Sequence, residues 1–220
     1  MLSVVIPTLN AAATLGATLA ALAEGAPDIV IADGGSSDGT AALARGAGCR
    51  VVEAPRGRGS QMAVGAAAAR GDWLLFVHAD TRPAPGWGDA VRRFADDPAN
   101  SERAAYFRFA LDDGSPAARR LEAMVAWRCR WLGLPYGDQG LLIAAAFYRA
   151  LGGFRPLPLI EDVDLVRRIN RRRLVALHHP AVTSAARYRD GYVRRSVRNL
   201  VCLSLYLAGM APGRIARLYG

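Results

Sequence analysis

The sequence predicts a single α/β domain with a mainly parallel central sheet and helices on both faces. Three observations support this fold class. Short apolar runs alternate with segments of helical periodicity through residues 1–80. Polar residues follow these apolar runs, as is typical of the carboxyl ends of strands in open α/β sheets, where ligands bind. The length of 220 residues suits one domain with its own core, and no internal repeat or linker divides the chain.

The composition indicates a globular protein with anionic partners. Hydrophobic residues make up 52% and charged residues 21%, which excludes a disordered chain. The net charge is +9, and all 28 basic residues are arginine. Arginine suits bidentate contact with phosphate, so we expect an anionic partner, and the charge alone leaves nucleotide diphosphates, acidic lipid headgroups and nucleic acid open. The scattered Cys49, Cys129 and Cys202 lack metal-ligand spacing and are expected to be reduced core thiols.

Four strands and three helices are predicted in the first half. The expected strands are Leu2–Ile6, Asp28–Ala32, Val51–Glu53 and Trp73–His78, and the helices follow Asn10, begin near Thr40 and span Gln61–Arg70. Met1 leads directly into the first strand, so no signal peptide is expected.

The polar strand ends are candidate ligand contacts. Pro7 and Thr8 close the first strand, and Asn10 is a good N-cap for the helix after it. The second strand ends in DGGSSDGT, where Asp33 could accept hydrogen bonds from a base or ribose. Glycines such as Gly35 let the backbone approach a ligand closely. The Gly-x-Gly-x-x-Gly spacing of a dinucleotide site is missing.

Two further segments could bind phosphate or metal. The basic loop Pro55–Ser60 opens a helix and could be an anion site, although a solvated connection is the commoner role for such a loop. The fourth strand ends in His78-Ala79-Asp80-Thr81. A carboxylate there suits a hard divalent cation, and a cation there suits a diphosphate. A turn or a helix cap is the alternative role for Asp80.

Further helices and strands are predicted in the second half. Predicted here are helices at Trp87–Phe94 and Ala117–Trp131, strands at Ala104–Leu111, Leu141–Ala145 and Leu174–Leu177, and a polar turn at Tyr136–Gly140. We expect Trp127 and Trp131 in the core or an interface, with stacking on a sugar ring as the alternative.

An acidic cluster and a basic tail complete the chain. Glu161, Asp162 and Asp164 lie close together in the sequence, and clustered acids perturb one another's pKa as a general base requires. Stabilisation of the carboxylates by the dipole at a helix N-terminus is the structural alternative. Most later arginines are expected on a solvated face, with Arg187 the best candidate for a diphosphate contact. His178 and His179 follow a predicted strand, and a structural role is favoured over metal ligation.

The apolar run Asn199–Ala211 is too short to span a bilayer. We expect a packed terminal helix, a dimer contact, or an interfacial helix behind Arg194, Arg195 and Arg198.

Four motifs together resemble a known family. VVIPTLN at residues 4–10, DGGSSDGT at residues 33–40 and LLFVHADT at residues 74–81 are similar in order and spacing to family 2 glycosyltransferases of the GT-A fold. Gly152-Gly153-Phe154 followed by IEDVDL is a fourth family-like motif. The short length and the HADT variant are most similar to a small bacterial subgroup, the radical-SAM/selenodomain-associated transferases.

The resemblance implies a nucleotide-sugar site. The implied donor-binding residues are Pro7, Thr8, Asn10, Asp33, Gly35, Ser36, Arg58, Asp80 and Arg187. Asp80, with His78, is implied to hold Mn²⁺ or Mg²⁺, and Asp162 is implied to be the general base. Two positions depart from the family pattern: Gly34 replaces the second Asp of Asp-Asp-Gly-Ser, and His78 replaces the first Asp of Asp-x-Asp.

The implied reaction is inverting transfer of a sugar from a nucleotide diphosphate to an acceptor hydroxyl. We divide the domain into a nucleotide-binding half at 1–82, an acceptor half at 83–190 and a C-terminal helical segment at 191–220. A cytoplasmic enzyme is expected, with peripheral contact to the inner face of a membrane and a homodimer both left open.

Three other functions remain as alternatives. A polyprenyl-phosphate glycosyltransferase shares the same motifs. A nucleotidyltransferase should show a basic glycine loop after its first strand, which Pro7-Thr8-Leu9 is not. A nucleic-acid-binding module would explain the charge but not the carboxylates at successive strand ends, and no nucleic-acid partner is expected.

Overall fold

The computed structural model describes residues 1–25, 27–188 and 191–219, apart from the side chains of Arg187, Val193, Arg194 and Tyr219. The strands of this part are β1 (Leu2–Thr8), β2 (Asp28–Asp33), β3 (Arg50–Glu53), β4 (Trp73–Phe76), β5 (Thr81–Pro83), β6 (Ala104–Leu111), β7 (Leu141–Ala144) and β8 (Leu174–Thr183). The helices are α1 (Ala12–Leu22), α2 (Thr40–Gly46), α3 (Arg58–Ala68), α4 (Trp87–Ala95), α5 (Pro116–Leu132), α6 (Ala145–Ala150), α7 (Glu161–Ile169), α8 (Tyr192–Leu207) and α9 (Pro212–Tyr219).

The strands form one sheet in the order β3-β2-β1-β4-β7-β6-β8-β5. The first four strands are parallel, and Thr8 at the end of β1 lies beside Asp33 at the end of β2. The second half is mixed, because β7 runs antiparallel to both β4 and β6 while β8 runs parallel to β6. The predicted α/β sheet is confirmed, and its parallel half brings the polar strand ends to one edge.

Alternating residues of β1 separate the two faces of the sheet. Val4 and Ile6 pack beneath α1, α2 and α4, whereas Val5 packs beneath α3, α6 and α7. Helix α3 lies close to the sheet at Gly65, where a Cβ atom would be 2.4 Å from Cγ1 of Val5. Helices therefore cover both faces, as predicted.

Several element boundaries differ from the prediction. Strand β8 continues to Thr183 because it pairs with β6 across a bulge at Phe107/Arg108 and then with β5. His178 and His179 consequently lie inside a strand rather than after one, which corrects the prediction. Helix α3 begins at Arg58 rather than Gln61, and α8 begins at Tyr192, well before the apolar run.

The prediction of a core position for Trp127 and Trp131 is wrong. Both side chains are more than half exposed, because α5 buries its opposite face through Leu121, Val125 and Cys129. Cys129 and Cys202 are buried free thiols, as expected, while Cys49 is half-buried. No helix within the described part of the chain is long and apolar enough to cross a bilayer.

Candidate active site

A hydrogen-bonded loop joins the ends of β1 and β2. Asp33 Oδ1 accepts bonds from the hydroxyls of Thr8 at 2.8 Å and Ser36 at 2.6 Å. Its Oδ2 accepts bonds from the backbone N–H groups of Gly35 at 3.1 Å and Ser36 at 2.8 Å. These bonds to the ionised form outweigh the effect of burial, so the pKa of Asp33 is lowered. The carboxylate of Asp33 therefore holds residues 33–36 in place through its hydrogen bonds.

Asn10 ties the same loop to the start of α1. Its backbone N–H donates to Ser36 Oγ at 2.9 Å, and its Oδ1 accepts from the Ser37 N–H at 2.9 Å. Asn10 adopts a φ of +50°, a left-handed conformation that asparagine tolerates better than most residues. The sequence predicts Asn10 as a helix N-cap, but its side chain bridges two loops instead.

The structure explains why glycine occupies position 34. Gln61 is buried below the loop and donates from Nε2 to the carbonyls of Thr8 at 2.6 Å and Ala32 at 2.9 Å. A Cβ atom at Gly34 would lie 3.1 Å from Gln61 Cδ, which is tighter than an ordinary packing contact. The side-chain amide thus occupies the space that a second aspartate would need.

Arg58, the first residue of α3, faces a group of carboxylates. Its Nε lies 2.9 Å from Oε1 of Glu161. Burial lowers the pKa of Arg58, but the charges of four carboxylates outweigh it and raise that pKa overall; they belong to Glu161, Asp162, Asp138 and Asp80. The end of β4, the turn before β7 and the start of α7 thereby meet around one guanidinium.

Glu161 is the most deeply buried of these acids, with 1% of its surface exposed. Burial, and next the charge of Asp162, raise its pKa to about 7, against the opposing effect of Arg58. Its ion pair uses Nε of Arg58, so the Nη1 and Nη2 edge is the part of the guanidinium suited to bidentate phosphate contact.

Asp162 points in a different direction from Asp164. Its Oδ2 accepts the Gly137 N–H at 2.8 Å, and its Oδ1 accepts the Val163 N–H at 2.7 Å. A carboxylate offers about four lone-pair sites, so it retains capacity for a further proton donor. Asp164 is instead buried in ion pairs with Arg168 at 2.6 Å and Arg155 at 3.2 Å.

The turn before β7 is held rigidly beside these acids. The predicted polar turn contains a short 3₁₀ helix, Gly137–Gln139. Gln139 donates to the Phe107 carbonyl at 3.1 Å, and Thr183 donates to the Asp138 carbonyl at 3.2 Å. The guanidinium of Arg128 lies 3.5 Å from the ring centroid of Tyr136. Gly137 and Asp138 are thereby fixed at the edge of a cleft.

This cleft has a volume of about 580 Å³, and its lining includes Asp138, Asp162 and several residues of α8. The residues that line it are Arg58, His78, Tyr136, Gly137, Asp138, Leu159, Ile160, Asp162, Val163, Thr183, Tyr188, Gly191, Arg195, Val197, Arg198, Asn199, Val201, Cys202 and Leu203. It is the kind of partly polar concave site that binds small molecules.

The family follows from the sequence match. Residues 3–132, more than half of the chain, match the model of the family described as Glycosyl transferase family 2. The chain belongs to glycosyl transferase family 2. The predicted family and enzyme class are confirmed, while the smaller subgroup remains a prediction.

Solved structures of other glycosyltransferases share the fold. S. aureus TarS 1-349 has a TM-score of 0.67 at 16% identity, over 97% of this chain and 68% of that chain. The complex of the same fragment with UDP-GlcNAc has a TM-score of 0.64 at 17% identity, over 83% and 58%. Glucosyl-3-phosphoglycerate synthase from Mycobacterium tuberculosis, with Mn²⁺, UDP and glucosyl-3-phosphoglycerate bound, has a TM-score of 0.61 at 20% identity, over 84% and 70%.

The chain thus spans 58–70% of these three neighbours, and at such identities the likeness shows the GT-A fold alone. No curated protein matches the sequence significantly.

The metal ligands implied for this glycosyltransferase are few. His78 lies against Gly137, where a Cβ atom would be 2.5 Å from its Nε2. Among the described residues, no three His, Cys, Asp or Glu side chains form a group that could hold a metal ion. Sites for Mg²⁺ can consist of one or two carboxylates completed by substrate phosphates and water. Asp80 therefore fits a metal that is bound jointly with a diphosphate.

Other predicted contacts separate into two groups. Thr8, Asn10, Asp33, Gly35 and Ser36 lie together at the loop, whereas the side chain of Arg187 is outside the described part of the structure. His179 lies away from the acids, with Nε2 at 2.7 Å from the Ala84 carbonyl oxygen, which fits a structural role.

Sequence reasoning missed three features of the site. These are the ion pair of Glu161 with Arg58, the contact of Asp162 with the Gly137 backbone, and the placement of Arg195 and Arg198 along the cleft. The arginine-rich tail was a signal for the last of these. The other two join distant segments and have no local signature.

Proposed function

We propose that this glycosyltransferase moves a sugar from a nucleotide diphosphate to an acceptor hydroxyl. The observation that carries the proposal is the position of Arg58, which faces Asp80, Asp138, Glu161 and Asp162 beside the sheet edge that holds the Asp33 loop. A guanidinium there can bind a diphosphate while a carboxylate nearby accepts a proton. Structural neighbours that bind UDP and UDP-GlcNAc support the same donor class.

The donor would bind across the carboxyl ends of β1, β2 and β4. Because Asp33 already accepts four hydrogen bonds from its own loop, it would act chiefly by fixing that loop beside the nucleoside. Pro7, Thr8, Asn10, Gly35 and Ser36 form the surface that it holds. Arg58 would contact the diphosphate through its Nη1 and Nη2 atoms.

The transfer itself requires one proton acceptor. The acceptor oxygen forms a bond to the anomeric carbon as the bond from that carbon to the diphosphate oxygen breaks. The electron pair of the breaking bond leaves with the nucleoside diphosphate, and the hydroxyl proton passes to Asp162. Attack from the face opposite the leaving group inverts the anomeric configuration. Arg58 stabilises the negative charge that develops on the leaving diphosphate.

Asp80 would hold a divalent metal together with the diphosphate. When bound, Mn²⁺ or Mg²⁺ would add positive charge at the leaving group. Mn²⁺ in the complexes of glucosyl-3-phosphoglycerate synthase supports this assignment. Because Asp80 offers one carboxylate, we expect appreciable metal binding only with nucleotide present.

A thermal-shift panel of nucleotide diphosphate sugars, with and without Mn²⁺, tests the proposal. A ligand at 100 times its Kd stabilises the folded state by about 2.7 kcal/mol. For a chain of this size that corresponds to roughly 5–10 °C in Tm. The proposal predicts such a shift for at least one nucleotide sugar and none for the free sugar. A panel without any nucleotide-dependent shift would contradict it.

A second candidate places this cytoplasmic enzyme at the inner face of a membrane. Met124, Trp127 and Trp131 are exposed on α5, and Leu200 is exposed on α8. Tryptophan is enriched at the level of lipid headgroups, and arginines beside apolar side chains favour anionic lipid. The exposure of these residues supports weak, salt-sensitive binding to an anionic membrane. Self-association of the protein through these residues is the alternative.

A further inference from the structure

Helix α8 presents apolar side chains to the active-site cleft as well as to the protein interior. Cys202 and Leu203 pack against α7 and α9. Val197 and Val201 lie one helical turn apart and line the cleft, yet 53% and 37% of their surfaces are exposed. The side chain of Leu159 lines the same cleft. One part of the wall is therefore apolar and accessible to a ligand.

Two arginines lie on the same stretch of α8. Arg195 and Arg198 both line the cleft, and the guanidinium of Arg195 lies 5.3 Å from the ring centroid of Tyr188. Asp162, the proposed base, lines the cleft as well. The cleft thus combines a proton acceptor, cationic groups and an apolar wall, which is more than a neutral sugar alone would use.

We infer that the acceptor is an anionic amphiphile with a free hydroxyl group, bound with its anionic group at Arg195 and Arg198 and its apolar chain along Val197 and Val201. This inference rests on the proposed function, because it assigns the acceptor side of the same cleft. The hydroxyl lies at Asp162, and the chain runs along α8 towards the exposed Leu200. A phosphate or carboxylate next to a short hydrocarbon segment provides the required complementarity.

Calorimetric titration with alkyl phosphates tests both parts of this subsite. The probes are butyl, hexyl and octyl phosphate below their critical micelle concentrations, with glycerol 3-phosphate and octyl glucoside as single-feature controls. Each methylene group that is buried against the wall should tighten binding by up to about fourfold. Octyl phosphate should therefore bind more tightly than butyl phosphate, and also more tightly than either control.

Matched variants separate the apolar wall from the arginines. Val201→Asn and Val197→Asn, which add no charge beside the arginines, should each remove the dependence on chain length. Leu207→Asn is the control, because Leu207 is similarly exposed on α8 but does not line the cleft. Arg198→Gln should remove the preference for octyl phosphate over octyl glucoside, while Arg217→Gln on α9 should retain it. Each substituted side chain is partly or largely exposed, so folding should be preserved, and the probe series on the parent protein provides a test that needs no variant.

Three outcomes would overturn the inference. Equal affinity for all chain lengths would show that the site binds a small anion without an apolar chain. Equal affinity for octyl phosphate and octyl glucoside would show that the arginines do not bind the anionic group. Displacement of octyl phosphate by UDP would assign the arginines to the donor diphosphate. UDP binding is titrated separately, so a failure of the donor site is distinguishable from a failure of the acceptor subsite.

Discussion

Replacement of Asp162 by Asn separates a catalytic carboxylate from a structural one. Asp162→Asn keeps the shape of the side chain but removes a group able to take the acceptor proton. Positioned general-base catalysis contributes about 10²–10⁴ in rate, so turnover should fall by that factor. Asn retains one oxygen for the Gly137 N–H or the Val163 N–H, and the loss of the other bond should destabilise the fold by about 1 kcal/mol.

Asp164→Asn is the matched control on the same helix. Asp164 is buried and pairs with Arg168, so loss of its charge should destabilise the protein by about 3 kcal/mol. The contribution of Arg155 should be small, because that side chain is 59% exposed. Since Asp164 faces away from the cleft, turnover per folded molecule should stay close to the parent value. The two variants are therefore expected to show opposite patterns.

Turnover is measured as the release of nucleoside diphosphate from the nucleotide sugar that gives the largest thermal shift. Stability is measured by urea unfolding. Donor affinity of Asp162→Asn should match the parent value, because the proposed loss lies in the transition state. A nearly silent Asp162→Asn beside a strongly impaired Asp164→Asn would refute the assignment of the base. If both variants were fully active, the acidic cluster would only cap the helix.

Three further predictions concern charge. Glu161 has a pKa raised from 4.5 to about 7, so the folded state holds its proton more tightly and stability should fall as pH rises through that window. As pH rises through that window, the free energy of unfolding measured in urea should fall by on the order of 3 kcal/mol in the parent but not in Glu161→Gln. The same pH dependence of stability in both proteins would contradict the prediction. In calorimetry, Asp80→Asn should abolish the Mn²⁺-dependent part of nucleotide binding, with His78→Ala less harmful because imidazole suits a hard cation poorly; parent-like binding by Asp80→Asn would exclude Asp80. Anionic vesicles should sediment the protein at low salt but not at high salt, since Arg195 and Arg198 would each contribute about 1 kcal/mol, and absence of sedimentation at low salt would exclude membrane contact.

The sequence predicted the parallel half of the fold because its signals are local. Buried strands of that half read as apolar runs, and the polar ends of β1, β2 and β4 marked the edge where ligands bind. Residues two positions apart on a helix face different ways, and Asp162 and Asp164 accordingly contact Gly137 and Arg168 respectively. These inferences needed no knowledge of distant contacts.

The remaining features depend on tertiary pairing. Strand β8 extends through His178 and His179 only because β6 and β5 provide partners for its edges. Likewise, the contact between Arg58 and Glu161 forms because α3 packs beside α7. Trp127 lies on the solvent side of an amphipathic helix, although its residue type alone would suggest a position in the core.

A crystal structure with the nucleoside diphosphate that gives the largest thermal shift tests the location of the donor site most directly. The nucleoside should lie against residues 33–36, with the diphosphate within hydrogen-bond distance of Arg58 and beside Asp80. The position of the sugar should then face Asp162 across the cleft. A nucleotide bound elsewhere on the protein, or bound in the cleft without contact to Arg58 or Asp80, would contradict the proposed reaction.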